Sequence, residues 1–247
     1  MTNRCTPVYY CNITKTAFWE AHMNLSKIIT LSILFTTLST VVFAEEKTAP
    51  EVTIDGLHLI KNTKMALVYA KPDVDLSHYN RFHIVEPKIA FEKNWLRDQN
   101  RIPNQFVRKE DMLRIKTELA ALFAEEFKKE LQNNGGYTLA DAPAEDVLII
   151  LPAIVDLDVI SPDTPGTRNQ RSLIASVGSM MLYMELIDSV TGDKLVKAVD
   201  IKYDRTPVRT GISNAVRNEA AARDMLGEWA ELLRRALDEA RVVVSKR

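Results

Sequence analysis

Two aspartates, Asp156 and Asp158, are the residues of this sequence that come closest to catalytic chemistry. They stand two residues apart in Asp146–Ile160, a run with the composition of a β-strand. Alternate residues of a strand point to one face, so the two carboxylates should lie roughly 6–7 Å apart. A pair at that spacing can serve as general acid and general base on a glycosidic bond. The aspartates also alternate with apolar residues, which is typical of an ordinary strand with one face in solvent, and we favour this interpretation.

Other catalytic and metal-binding patterns are missing from the sequence. The histidines at His58, His78 and His83 lack the H-E-x-x-H spacing of a zinc site, and His83 has a structural position on a predicted strand. Asp73 and Asp75 resemble the start of a calcium loop, but no third ligand and no turn glycine follow them. Neither a G-x-S-x-G elbow nor a glycine-rich phosphate loop occurs. The sequence therefore predicts no cofactor and no metal site.

Six arginines in three predicted loops form the candidate binding site. If these loops meet at one end of a sheet, the arginines would bind anionic partners such as lipopolysaccharide, phospholipid headgroups or the carboxylates of peptidoglycan. The alternative is that they are ordinary solvated arginines, balanced by neighbouring acids. The 32 lysines and arginines are offset by 33 acidic residues, which is not the basic excess expected of a nucleic-acid-binding protein. The six residues are Arg97, Arg101, Arg168, Arg171, Arg205 and Arg209.

The beginning of the chain has the pattern of an export signal in residues 23–44. Lys27 supplies the positive charge, residues 28–38 form a short apolar segment, and Val42-Phe43-Ala44 is a cleavage box of small residues. Cleavage after Ala44 would leave Glu45 as the first residue of a periplasmic protein. Residues 1–22 carry no fold signal and are predicted to be an over-extended gene start. An uncleaved anchor or a longer charged region before the apolar segment is the alternative.

Both cysteines of the chain, Cys5 and Cys11, precede the predicted signal. The exported part would therefore contain no disulfide framework and no thiol nucleophile. It would also lack the cysteine to which a lipid anchor is attached after signal cleavage. We expect a protein that is exported without lipidation and has no transmembrane span.

The pattern of apolar residues predicts four strand regions and two long helices. The strands are expected at 65–70, 81–91 and 146–160 and in a hairpin at 176–205, whose turn is Asp188–Asp193. Apolar stripes at helical spacing predict helices at 108–134, ended by Gly135-Gly136, and at 213–244, where Gly227 suggests close packing. These elements predict an α/β fold of the α+β type. It is a single two-layer sandwich, with a mixed, mainly antiparallel sheet and both amphipathic helices on one face.

The chain is expected to have a flexible arm at 45–64 and a single domain at 65–247. Within that domain, the hairpin is expected to form the wall of the core. The first strand of the hairpin is apolar on both faces, which is typical of a central strand. The second strand alternates: Leu195, Val199, Ile201 and Tyr203 share one face, and Val196, Ala198, Asp200 and Lys202 share the other.

Several stretches resemble a family of Gram-negative envelope proteins known only as a domain of unknown function. The resemblance begins at Tyr69–Tyr79 (YAKPDVDLSHY) and continues through Phe82–Pro87, Trp95, Gly135-Gly136, Glu185–Gly192 and Trp229-Ala230. It spans about Met65 to Ala240. It implies a periplasmic protein and no particular activity. Many members look like lipoproteins, and this chain departs from them in lacking the lipidated cysteine.

These observations favour a non-enzymatic binding domain that contacts another component of the cell envelope. The expected partners are an envelope protein, peptidoglycan or an anionic lipid, and no nucleic acid. The alternative is a hydrolase of envelope polymers that uses Asp156 and Asp158.

Overall fold

The computed structural model describes residues 49–103, 106–161, 176–204 and 215–245. These residues form one mixed sheet covered by two long helices, which confirms the predicted α+β fold, and Thr48–Arg247 is one compact unit. The predicted signal and its cleavage site at Ala44 and Glu45 lie outside the described residues. The strands are β1 (His58–Leu59), β2 (Leu67–Ala70), β3 (Arg81–Ile84), β4 (Lys88–Phe91), β5 (Thr138–Leu139), β6 (Val147–Ser161), β7 (Ser176–Asp188) and β8 (Lys194–Tyr203). The helices are α1 (Trp95–Gln99), α2 (Lys109–Lys129), extended by a π-helical turn at Glu130–Asn134, and α3 (Ala215–Ser245).

The predicted hairpin lies in the middle of the sheet. The strand order is β1-β2-β8-β7-β6-β3-β5, and β4 also pairs with β6. Strand β7 is antiparallel to both β6 and β8, whereas β3 and β4 run parallel to β6. The central place of β7 is the position predicted from its apolar residues on both faces.

The core lies between one face of the sheet and the two long helices. Residues of even number on β7 face this core, and Met180 and Leu182 are completely buried there. The stripe of α2 meets them with Phe123 and Phe127, and α3 contributes Trp229. Burial of each large apolar side chain stabilises the fold by about 1.5–3 kcal/mol as an upper estimate.

The face of β8 that contains Asp200 and Lys202 lies toward the helices. Ala198 of β8 pairs with Met184 of β7 and is 3% exposed, so the even-numbered side of β8 faces the core. On the other side, Ile201 and Tyr203 are 41% and 64% exposed. Leu195, predicted to share their face, is instead 7% exposed in the core, because the register of β7 and β8 shifts there. Pairing with β7 decides this orientation, since a strand must present the same face as its neighbour.

Strand β6 contains Pro152 and, beyond it, a bulge that the sequence did not predict. The Val85 N–H donates to the Ile150 carbonyl, so the missing N–H of Pro152 points to the same side of β6. At that level β3 has ended at Ile84 and β4 has not yet begun, so no ladder bond is lost. A bulge follows, where β6 uses two residues opposite one residue of β7 and Asp156 has a φ of 49°.

Several short elements were not predicted. Helix α1 lies between the strand predicted at 81–91 and the helix predicted at 108–134, and β5 lies between that helix and the strand predicted at 146–160. The arm predicted to be flexible contains β1, which pairs with β2, and Leu57 beside it is 1% exposed. Within this arm, His58 and Leu59 pair with the sheet, although two-residue strands give no sequence signal of their own.

Candidate functional site

Two stretches of the family resemblance, Tyr69–Tyr79 and Glu185–Gly192, meet at the β7–β8 turn. The Tyr79 hydroxyl donates a hydrogen bond of 2.6 Å to Asp188, and the Lys71 ammonium lies 2.8 Å from the Asp193 carboxylate. Hydrogen bonds from the N–H of Thr191, from Tyr79 and from the N–H of Val190 lower the pKa of Asp188 to about 2. These residues attach the chain after β2 to the hairpin, so their role is structural.

A charged cluster lies on the sheet face opposite the helices. Glu185 is nearly buried there, and its carboxylate accepts a 2.6 Å hydrogen bond from Tyr183 and lies 3.2 Å from the Lys194 ammonium. Lys194 and Lys197 both contact Asp55, at 3.4 and 3.1 Å. The hydrogen bond from Lys197 and the charge of Lys194 lower the pKa of Asp55, while Glu185 raises the pKa of Lys194. The cluster holds the turn before β1 onto the sheet.

The arginine site predicted from the sequence is described only in part. Arg97 and Arg101 lie on and just after α1, and both pair with Asp98, at 3.1 and 3.2 Å. One carboxylate therefore offsets part of their charge. Arg168, Arg171, Arg205 and Arg209 lie outside the described residues, so the convergence of the six arginines stays a prediction.

The Asp156 and Asp158 pair does not have the geometry of a regular strand. The bulge of β6 begins at Asp156, which is exposed, whereas Asp158 is half-buried. Burial raises the pKa of Asp158, and the Trp95 indole N–H beside it opposes that shift. The expected separation assumed continuous strand geometry between the two residues, and the bulge removes that assumption.

A groove of about 460 Å³ lies where β8 runs past the end of β2 and beneath α3. Its strand side is Asp200–Asp204 and its helix side includes Ala221, Asp224, Met225 and Glu228, with Lys64 at its margin. Two internal contacts cross it. Lys202 forms an ion pair with Glu228, and Asp200 accepts a 2.8 Å hydrogen bond from the Trp229 indole.

The groove was not predicted from the sequence. Its strand contributes the alternation Asp200-Ile-Lys-Tyr-Asp204, and α3 contributes two acids one helical turn apart, Asp224 and Glu228. Each pattern is typical of a solvent-facing surface, so neither predicts a site alone. The site exists because β2 ends before β8 does, and strand lengths are decided by the partners with which the strands pair.

The described ranges contain neither a metal-binding cluster nor a membrane-spanning helix. Within them, no group of three or more His, Cys, Asp and Glu side chains is arranged to hold a metal ion. In the same ranges, no helix is long and apolar enough to cross a membrane.

Solved structures give weak similarities. A PelC dodecamer from Paraburkholderia phytofirmans is 12% identical, with a TM-score of 0.34 over 68% of this chain and 96% of that one. The rare lipoprotein B from Shewanella oneidensis is 9% identical, with a TM-score of 0.26 over 67% of this chain and 99% of that one. No function is transferred from either at these values.

Sequence comparison gives a definite family. A search of curated proteins finds no significant match. A family model, in contrast, matches residues 59–233, which run from the second residue of β1 through β8, the whole of α2 and α3 as far as Leu233. The chain therefore belongs to DUF3313, a family of proteins of unknown function.

Proposed function

We propose that this protein is an exported envelope protein that acts by binding a partner protein and not by catalysis. The observation that carries the proposal is the groove at the end of β8, where a strand edge, a helix and both signs of charge border one concave surface. Concave surfaces with convergent polar groups are where binding sites most often occur.

The location in the envelope is supported by the sequence. Residues 23–44 have the pattern of a secretory signal, and the stretches from Tyr69 to Trp229 resemble a family of Gram-negative envelope proteins. In this proposal, Ala44 is the last residue of the signal and the protein works in the periplasm without a lipid anchor.

A protein partner is favoured over an anionic lipid or peptidoglycan at this groove. Among the described residues, four carboxylates and two lysines line it, namely Asp200, Asp204, Asp224, Glu228, Lys64 and Lys202. An excess of negative charge repels phosphate headgroups and peptidoglycan carboxylates and attracts cationic side chains.

A photo-crosslinking experiment in Gram-negative cells tests the proposal. The full chain would carry a photoreactive phenylalanine analogue at Tyr203, which borders the groove and is 64% exposed, or at Val190 in the hairpin turn, which is 59% exposed. We expect a product that begins at Glu45 in the periplasmic fraction and crosslinks to a distinct envelope protein from Tyr203 but not from Val190.

Two results would contradict this proposal. Retention of the chain in the cytoplasm would disprove the location. Absence of a distinct crosslinked protein, or identical crosslinks from both positions, would disprove binding at the groove.

The predicted arginine patch gives a second binding surface that can be tested in the same cells. Charge reversal at Arg168 and Arg171 should weaken retention of an anionic envelope partner, because paired charges contribute to such contacts. The measurement is recovery of the partner with the tagged protein. Unchanged recovery would exclude the arginine loops as the contact surface.

A further inference from the structure

We propose that the outer edge of β8 at Ile201–Tyr203 binds an extended segment of a partner protein, added as a further strand, in which basic and apolar side chains alternate. This inference rests on the proposed binding function and specifies its partner. It follows from the hydrogen-bonding direction of β8, from the charge of the groove and from the side chains on each face of the edge.

The main-chain groups of Ile201 and Tyr203 point to an edge that no described strand covers. The Leu195 carbonyl accepts from the Lys71 N–H on the β2 side, whereas the Asp204 N–H donates to Gly178 on the β7 side. Odd-numbered residues of β8 therefore direct their N–H and C=O groups toward β2. Strand β2 pairs with β8 only up to Val199, while β7 continues to Tyr203.

The end of β2 is fixed by one carboxylate. The Ala66 N–H donates to the side chain of Asp200, at 3.1 Å, and not to a main-chain carbonyl of β8. The other oxygen of Asp200 accepts from the Trp229 indole, at 2.8 Å. Strand β2 begins at Leu67, and no described strand pairs with this edge of β8 beyond Val199. An open edge of this kind is a template for strand addition.

The helix side of the groove selects for basic residues. A strand added beside β8 would point every second side chain toward α3, where Asp224 and Glu228 border the groove. Lysine or arginine suits these positions, since their aliphatic stems can cover Ala221 and Met225 while the charged ends reach the carboxylates. The three residues from Ile201 to Tyr203 and their flanks span about 17 Å, enough for a segment of about five residues.

The opposite face of the same edge selects for apolar residues. Ile201 and Tyr203 point away from the helices and are 41% and 64% exposed. The remaining side chains of an added strand would lie beside them and remove their apolar surface from water. The two faces together predict the alternation of basic and apolar residues.

A second copy of this chain is a poorer occupant. Antiparallel self-pairing that uses all the free main-chain groups sets Ile201 opposite Tyr203 of the copy. Lys202 would then oppose the same residue of the copy, and Asp200 would oppose Asp204. Like charges directly opposite each other destabilise a strand pair, and charged residues on an edge are a usual protection against self-association.

Peptide binding tests the inference. The probe is a fluorescent heptapeptide of alternating lysine and valine, titrated into the full chain, with a glutamate–valine heptapeptide as the matched control. We expect saturable binding of the lysine peptide only. Methylation of the alternate peptide nitrogens that face β8 should abolish binding, because it removes donors without changing charge.

Variants of the protein separate the contributions of the edge and of the groove. Ile201→Pro removes an edge N–H that makes no described ladder bond and should abolish binding. Asp224→Lys should weaken binding by about tenfold or more, whereas Glu239→Lys, an exposed reversal elsewhere on α3, should leave it within about twofold.

The outcomes distinguish this inference from the function on which it rests. Equal binding of both peptides, or binding that survives methylation, would overturn strand addition. Dimerisation in sedimentation that Ile201→Pro abolishes would identify a second copy as the occupant and overturn the peptide. Crosslinking from Tyr203 in cells without binding of the lysine peptide would overturn this inference alone, and loss of the crosslink would overturn the proposed function.

Discussion

The carboxylate of Asp188 stabilises the β7–β8 turn by accepting hydrogen bonds. It accepts hydrogen bonds from the N–H groups of Val190 and Thr191, at 2.9 and 2.7 Å, and one from Tyr79 across the sheet end. Three donors around one carboxylate favour its charged form. At the other end of β8, Asp200 closes the β2 ladder in the same way. Single carboxylates in this protein thus fix where strands end.

The pH dependence of stability should reveal the bonds to Asp188. Because its folded pKa of about 2 lies below the ordinary value near 4, this contribution is complete above pH 4 and is lost as the pH falls toward 2. Tyr79→Phe removes one donor and should lower the free energy of unfolding at pH 7 by about 1–2 kcal/mol. The substitution should also raise the folded-state pKa of Asp188. The loss of stability on acidification should then be complete at a higher pH.

Urea unfolding between pH 7 and pH 2 measures both effects. Val190→Ala, in the same turn but with an exposed side chain, is the matched control and should follow the wild type. A Tyr79→Phe profile parallel to that of the wild type would show that this hydrogen bond does not perturb Asp188.

At the scale of secondary structure, Gly135 at the end of one helix and Gly227 inside another have different surroundings. Gly135 ends the π-helical turn, and a Cβ there would lie 2.6 Å from the Tyr137 ring and 2.9 Å from the Leu131 carbonyl oxygen. Gly227 lies inside α3, where a Cβ would have no neighbour within 4 Å. The expected close packing at Gly227 was therefore wrong.

Alanine at the two positions should change stability in opposite directions. Gly227→Ala should raise the free energy of unfolding by up to about 1 kcal/mol, because alanine favours the helix and displaces nothing. Gly135→Ala should lower it, since main chain and a buried ring must move. Thermal unfolding of both variants checks the sign, and destabilisation by Gly227→Ala would contradict the open environment.

At the scale of the whole molecule, ion pairs connect the two long helices, which also share an apolar core. The Arg223 guanidinium on α3 donates to Glu125 of α2 at 2.9 and 3.1 Å and to Glu126 at 2.6 Å. Only 8% of the Glu126 side chain is exposed. The pairing fixes the position of α3, and α3 in turn forms the upper side of the groove.

Arg223→Ala should lower the free energy of unfolding by about 1–3 kcal/mol, because Glu126 loses a partner while it stays desolvated. Lys129, 3.4 Å from Glu126, keeps the cost below that of a fully isolated charge. Arg235→Ala breaks an exposed pair with Glu231 on one helix and should cost no more than about 0.5 kcal/mol. Equal losses in chemical unfolding would show that the link between the helices is no stronger than a surface pair.

Much of the fold could be predicted because its signals are local. The stripe of α2, the stop at Gly135-Gly136 and the hairpin turn around Asp188 each depend on spacing within one element. The bulge of β6 could not be predicted from the alternation of Asp156 and Asp158 with apolar residues, because that alternation is typical of a regular strand. The short strands β1 and β5 could not, because two residues make ladder bonds only where another strand offers them.

By itself the sequence determined the α+β class, the central hairpin and the helix faces, because apolar periodicity records which side of each element is buried. Only the tertiary structure decided that Asp200 and Lys202 of β8 face the helices and that Asp156 lies in a bulge. It also decided that an edge of β8 with which no described strand pairs lies beneath Asp224 and Glu228. These features depend on strand register and on where β2 ends, and both are fixed by contacts between residues far apart in the chain.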